Sequence, residues 1–170
     1  MILDVCCGAE KIYQNNQLNL PDNEFISIDI RKGDFSYKSK SMRAPTQIIV
    51  NPTILTYMQN LPFKNNIFNI IVCDPPHMNC GLSGYMGKAW GSWSQQETIT
   101  TMKKANDEFA RVLKPSGTLV LKVMKPMFPQ FKELLTNFIF FLPIQTVRPR
   151  GCMESREAKE SALWFIGIKK

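Results

Sequence analysis

A chain that runs Phe68-Asn69-Ile70-Ile71-Val72-Cys73 straight into Asp74-Pro75-Pro76-His77 has few ways to fold. Ile70, Ile71 and Val72 form a continuous apolar run, as in a strand covered on both faces. A carboxylate and two prolines follow at the strand's carboxyl end, where open α/β sheets take their ligands. Proline fixes φ and lacks an N–H, so Asp74 and the Pro75 carbonyl stand as acceptors suited to one small donor, such as an amino group. A strand followed by an ordinary loop fits the same residues, and the rest of the chain must decide between the two readings.

The 170 residues suit one domain, 1–170, and 44% hydrophobic with 21% charged residues suits a globular protein. No apolar run approaches the roughly 20 residues of a membrane helix, and Ile2 enters a strand-like segment with no basic leader before it, so a cytoplasmic protein is expected. Five cysteines (Cys6, Cys7, Cys73, Cys80, Cys152) form no C-x-x-C pair, and one histidine cannot complete a usual zinc set. Free thiols and no metal are the expectation. The net charge of +7 favours acidic partners, nucleic acid first, without requiring one.

Taken in order, Ile2-Leu3-Asp4-Val5-Cys6-Cys7-Gly8 reads as a strand ending in a glycine turn where backbone can approach a ligand. The G-x-G-x-x-G fingerprint of dinucleotide sites is absent. A short helix over Glu10–Gln17 and a turn around Pro21 lead to the strand Phe25–Ile30. Asp29 stands roughly 20 residues after Gly8, the spacing at which a βαβ unit accepts hydrogen bonds from ribose hydroxyls. The segment Arg31–Pro45, with Arg31, Lys32, Lys38, Lys40 and Arg43, reads as a solvated loop. Gln47–Val50 is a third strand, Asn51–Gln59 a helical turn, and Leu61-Pro62-Phe63 a rigid connection.

After His77, residues Met78–Gln96 interleave Gly81, Gly84, Gly87 and Gly91 with Tyr85, Lys88, Trp90 and Trp93. Glycines free the backbone and aromatic faces stack, so this stretch reads as a lid or substrate clamp, or else as a covering loop that fills core gaps. Thr98–Leu113 is a helix with Ile99, Met102, Phe109, Val112 and Leu113 on one face, stopped by Lys114-Pro115-Ser116-Gly117. Thr118–Val123 is a buried strand. Pro129 opens a helix carrying Phe131 to Ile139, and Ile144–Arg148 and Ala162–Ile168 are the last strands around a polar loop, 151–161.

Strands alternating with helices imply a doubly wound, mostly parallel α/β sheet. The ordered set Asp4-Val5-Cys6-Cys7-Gly8, Asp29, Asp74-Pro75-Pro76-His77 and Leu113-Lys114-Pro115-Ser116-Gly117 resembles the class I S-adenosylmethionine-dependent methyltransferases over nearly the full chain. Within them it resembles small bacterial and phage-type enzymes with Asp-Pro-Pro-His, and its Asp-Pro-Pro step is similar to the [Asp/Asn/Ser]-Pro-Pro-aromatic motif of amino-group nucleic-acid methyltransferases. The resemblance implies a Rossmann-like, three-layer α/β/α fold on seven strands, the last antiparallel. It implies S-adenosyl-L-methionine bound by Asp4, Cys6, Gly8, Asp29, Ile30 and Asp74. Catalysis would fall to Asp74, Pro75, Pro76 and His77, with His77 where the better-known motif has a stacking ring. An imidazole there can stack or take up a proton. Asp74 and the Pro75 carbonyl would hold a target amino group with its lone pair aimed at the activated methyl. Tyr85, Lys88, Trp90 and Trp93 are the candidate substrate contacts. Three readings stay open: methylation of an amino nitrogen on a nucleic-acid base, methylation of a small molecule or protein side chain, and a non-catalytic methyltransferase-fold subunit that binds a partner.

Overall fold

A computed structural model describes residues 1–9, 24–124, 127–141, 143 and 162–170. The expected helix over 10–17, the turn at Pro21, the strand over 144–148, the polar loop over 151–161 and Cys152 lie outside the described residues.

Seven strands make the main sheet: β1 (Ile2–Val5), β2 (Phe25–Asp29), β5 (Ile54–Leu55), β6 (Phe68–Cys73), β9 (Leu113–Met124), β10 (Phe138–Phe140) and β11 (Ala162–Lys169). Their order is β10-β11-β9-β6-β1-β2-β5. The five strands from β5 to β9 run parallel, whereas β11 is antiparallel to β9 and β10 to β11. This is the Rossmann-like sheet with an antiparallel last strand that the sequence implied.

The register sorts side chains onto two faces. Leu3 lies beside Ile71 and Val5 beside Cys73, and these meet Leu119 and Leu121 on β9. All six are fully buried. Helix α2 (Gln95–Val112) covers this face with Met102, Ala105, Phe109 and Val112, and Phe131 of α3 (Phe128–Leu134) joins the same core. The opposite face carries Asp4 beside Ser27 and Val72 beside Val120. Two residues further along each strand, the same alternation places Asp29, Asp74 and Lys122 on that face.

Helix α2 begins earlier than its apolar periodicity suggests. Ser94 Oγ accepts from Glu97 N at 3.2 Å while Glu97 Oε2 accepts from Ser94 N at 2.7 Å, a reciprocal cap that fixes the start at Gln95. Lower on the same helix, Glu108 Oε2 accepts from Leu61 N at 2.7 Å, and Arg111 donates to the Leu61 and Phe63 carbonyls at 2.9 and 2.6 Å. The pair thus clamps the Leu61-Pro62-Phe63 connection that leads into β6. Hydrogen bonding from Arg111, then from the Leu61 amide, holds the Glu108 carboxyl below its ordinary value of 4.5, against the opposing pull of partial burial. A carboxyl lowered on folding stabilises the fold above its unfolded value, and that contribution is lost as pH falls through the folded one. Glu108→Gln is therefore expected to reduce urea stability at neutral pH, with the gap to wild type closing as pH drops below 4.5. A gap that stays constant into acid would rule out the carboxylate as its source.

Four local expectations are corrected. The segment read as a solvated loop holds strand β3 (Gly33–Tyr37), which pairs with β4 (Thr46–Val50) in a separate antiparallel hairpin. The strand at 47–50 therefore exists but lies outside the main sheet, whose outer position goes to β5, inside the stretch read as helical. Phe138 and Ile139 leave the helix and form edge strand β10, since α3 ends at Leu134. The stretch after His77 is ordered: β7 (His77–Met78) pairs with β8 (Ser92–Trp93), and α1 (Tyr85–Trp90) lies between them.

Candidate active site

The carboxyl ends of β1, β2 and β6 converge on one region. There Asp4 is 1% and Asp29 5% exposed, and the Asp74 side chain is 15% exposed. Burial, and then the nearby Cys73, Asp29, Asp4 and Asp74, push the Cys6 thiol well above its ordinary value. Cys6 thus lines the site as a neutral thiol.

Two cavities open here. The first, about 410 Å³, is lined by Val5, Cys6, Ile28, Asp29 and Ile30 from the strand ends, by Tyr57 and Met58 beyond β5, and by Trp93. The second, about 440 Å³, is lined by Asp74, Pro75, Lys122 and Phe131, with Met78, Met86, Met124 and Met127. Pro76 lines both. The Asp-Pro-Pro turn is the partition between them.

Gly8 sits at φ +55°, and a Cβ built there would meet the Ala89 carbonyl oxygen and Trp90 Cδ1, both at 2.8 Å. Its N–H donates to Asp29 Oδ2 at 3.0 Å, tying the first turn to the second strand. Asp29 Oδ1 accepts from the Arg31 backbone N–H at 2.9 Å and Nε at 3.2 Å, and Oδ2 also accepts from the guanidinium at 3.3 Å. These four bonds fill the usual capacity of a carboxylate. The rest of the Arg31 guanidinium donates to the carbonyls of Lys88, Ala89 and Gly87 at 3.0, 3.3 and 3.4 Å, at the carboxyl end of α1.

In the second cavity Lys122 Nζ donates to Asp74 Oδ2 at 2.6 Å and lies 5.6 Å from the centre of the Trp164 ring. The pair follows from the register: Cys73 is opposite Leu121, so the next residues, Asp74 and Lys122, face each other. Neither Arg31 nor Lys122 was singled out as a site residue from the sequence. A lysine inside the apolar run Leu119-Val120-Leu121-Lys122-Val123 was the available signal for the second. For Arg31 it was the basic residue two positions after a strand-end aspartate.

The expected clamp residues are spread out. Trp93 lines the first cavity with Asp29. Tyr85 packs edge-on against Trp90 and Tyr37, each with ring centres 5.8 Å apart, and Lys88 Nζ donates to the Ser36 carbonyl at 2.6 Å. These three are not among the residues that line either cavity. The His77 backbone pairs in β7, while its ring lies outside the described structure.

No protein-family model matches the chain, and no curated protein matches it. Solved structures do. A candidate S-adenosylmethionine-dependent methyltransferase from Listeria monocytogenes superposes with a TM-score of 0.57 at 12% identity, covering 99% of this chain and 90% of that one. The TehB-like SAM-dependent methyltransferase from Corynebacterium glutamicum gives 0.53 at 14% identity, covering 99% and 79%. The N-methyltransferase NodS from Bradyrhizobium japonicum gives 0.51 at 14% identity, covering 99% and 84%. At such identities the likeness is one of fold: this chain has the class I methyltransferase fold. Among the described residues no helix is long and apolar enough to cross a membrane.

Proposed function

We propose that this protein is an S-adenosylmethionine-dependent methyltransferase that modifies an amino nitrogen of a nucleic-acid base. The observation behind this reading is the shared wall at Pro76, with a carboxylate-rimmed cavity at the strand ends on one side and Asp74 in a methionine-rich cavity on the other. A cofactor and an acceptor held in the two meet at the Asp-Pro-Pro turn.

The first cavity suits the cofactor by its chemistry. Val5, Ile28, Ile30 and Met58 offer apolar walls, and Asp29 offers a ribose acceptor. Asp29 would hold a ribose diol only where Arg31 gave up bonds it now makes to the carboxylate. When bound, the cofactor supplies a methyl group activated by its sulfonium. Lys122 orients the Asp74 carboxylate, and Asp74 with the Pro75 carbonyl accepts hydrogen bonds from the target amino group. Held this way, the nitrogen lone pair would face the methyl group that the cofactor would supply, with the sulfonium sulfur as leaving group. The proton then displaced from nitrogen leaves through Asp74 to water. This is alignment more than acid–base work.

Calorimetry with S-adenosylmethionine should show one site per chain. Tritiated methyl groups should then pass to single-stranded DNA or RNA in preference to a protein extract or small amines. An absence of cofactor binding would overturn the enzyme reading, and transfer to protein or small amines alone would overturn the nucleic-acid substrate.

A further inference from the structure

We infer that the β3–β4 hairpin is the docking element for the sugar-phosphate backbone of a single-stranded nucleic acid, an inference that rests on the nucleic-acid reading above. The hairpin is two-faced. Phe35 pairs with Ile48 and Tyr37 with Thr46 on the inner face, while Asp34, Ser36, Gln47 and Ile49 point outward and are exposed. The hairpin is anchored to α1 through the Tyr37–Tyr85 ring contact on its inner face and the hydrogen bond from Lys88 Nζ to the Ser36 backbone carbonyl. Helix α1 in turn sends Met86 into the wall of the Asp74 cavity. The hairpin therefore stands across one short helix, roughly 10 Å wide, from the proposed acceptor site.

Its charge says what it would dock. Lys32, Lys38, Lys40 and Arg43 are all exposed, and Asp34 is the one acidic residue between Arg31 and Pro45. That surplus of three positive charges is nearly half of the chain's net +7, gathered on one ribbon. Among the described residues none of these four cations is in an ion pair; Arg31, at the hairpin's base, is taken by Asp29. Exposed cations on an anchored element are what phosphates bind, at the gain of released counterions. A strand whose base enters the Asp74 cavity carries its flanking phosphates over α1 toward the tip at Lys38, Lys40 and Arg43. A free base or small amine has no use for such a ribbon.

The test is fluorescence anisotropy with a labelled single-stranded DNA and an RNA of the same sequence, over a salt series, on the full chain. K38Q/K40Q/R43Q is compared with wild type and with K103Q/K104Q/K132Q, which removes equal charge from exposed positions on α2 and α3. The hairpin variant is expected to bind at least about tenfold more weakly at low salt, and to lose about 2 from the slope of log K against log salt, since each single-strand phosphate contact is worth roughly 0.7. The control variant should stay close to wild type, and both should keep wild-type unfolding midpoints and cofactor binding. Preference for DNA or for RNA identifies the backbone and supports the inference either way. Equal losses in both variants, or none in the hairpin variant, would overturn it while leaving the proposed function standing. Wild type that binds neither oligonucleotide would overturn it together with the nucleic-acid substrate, while cofactor binding and transfer to other acceptors would still decide the enzyme reading separately.

Discussion

Replacing Asp74 by alanine is expected to lower methyl transfer by about 10²–10³-fold, or about 2.7–4 kcal/mol at the transition state, while S-adenosylmethionine binds as before. The side chain lines the second cavity, with Lys122 held at 2.6 Å on Oδ2. Truncation leaves the acceptor nitrogen unaligned and Lys122 without its counter-charge, yet removes nothing from the wall of the first cavity. Asp74→Asn keeps an acceptor oxygen but gives up the ion pair, so its activity should fall between the two. Lys122→Met should lower the turnover number with cofactor affinity unchanged, because it lets the carboxylate rotate without touching the first cavity. Single-turnover rates and calorimetry on the same preparations separate the effects. Should Asp74→Ala lose cofactor binding as well, the residue belongs to the cofactor cavity and the acceptor assignment fails.

The second large effect is expected at Gly8. A valine there must adopt φ near +55°, which costs about 1–2 kcal/mol for any residue with a Cβ and more for a branched one. Its Cβ also meets the Ala89 carbonyl and Trp90 ring at 2.8 Å, adding the roughly 1–3 kcal/mol of an overpacked contact. The strain relaxes by pushing α1 away, which breaks the Ala9 N to Ala89 carbonyl bond of 2.9 Å and disturbs the Gly8 to Asp29 bond. Gly8→Val should therefore lose about 2–5 kcal/mol of stability and weaken S-adenosylmethionine by more than about tenfold, read by urea unfolding and calorimetry. Wild-type affinity in a folded valine variant would mean that the glycine turn does not border the cofactor.

Parts of this fold were legible because their information is local. Ile70–Cys73 and Leu119–Val123 are apolar runs long enough to declare buried strands, and Met102, Phe109 and Val112 recur at helical spacing. The Gly8 to Asp29 spacing reads as a ribose site, whereas the 3.0 Å hydrogen bond that joins the two residues follows from how β1 and β2 pair. Other elements depend on partners far along the chain. Gly33-Asp34-Phe35-Ser36-Tyr37 alternates, but with polar residues and a glycine it becomes a strand only because Thr46–Val50 folds back onto it. Ile54-Leu55 is a strand only because β2 offers an open edge, and Phe138–Phe140 because β11 does.

The sequence by itself determined the order of the layers and the chemical character of the turn at Asp74, since apolar runs, caps and prolines act over a few bonds. Only the tertiary structure decided what Asp74 and Asp29 touch. Lys122 reaches Asp74 across 48 residues because β6 and β9 pair in one register, and a shift of one residue would turn the lysine to the other face. Arg31 spans Asp29 and the end of α1 because packing brings the glycine-rich segment back over Gly8. Register and packing are set by the burial of whole strand and helix faces. The site was therefore named by its residues and built by its neighbours.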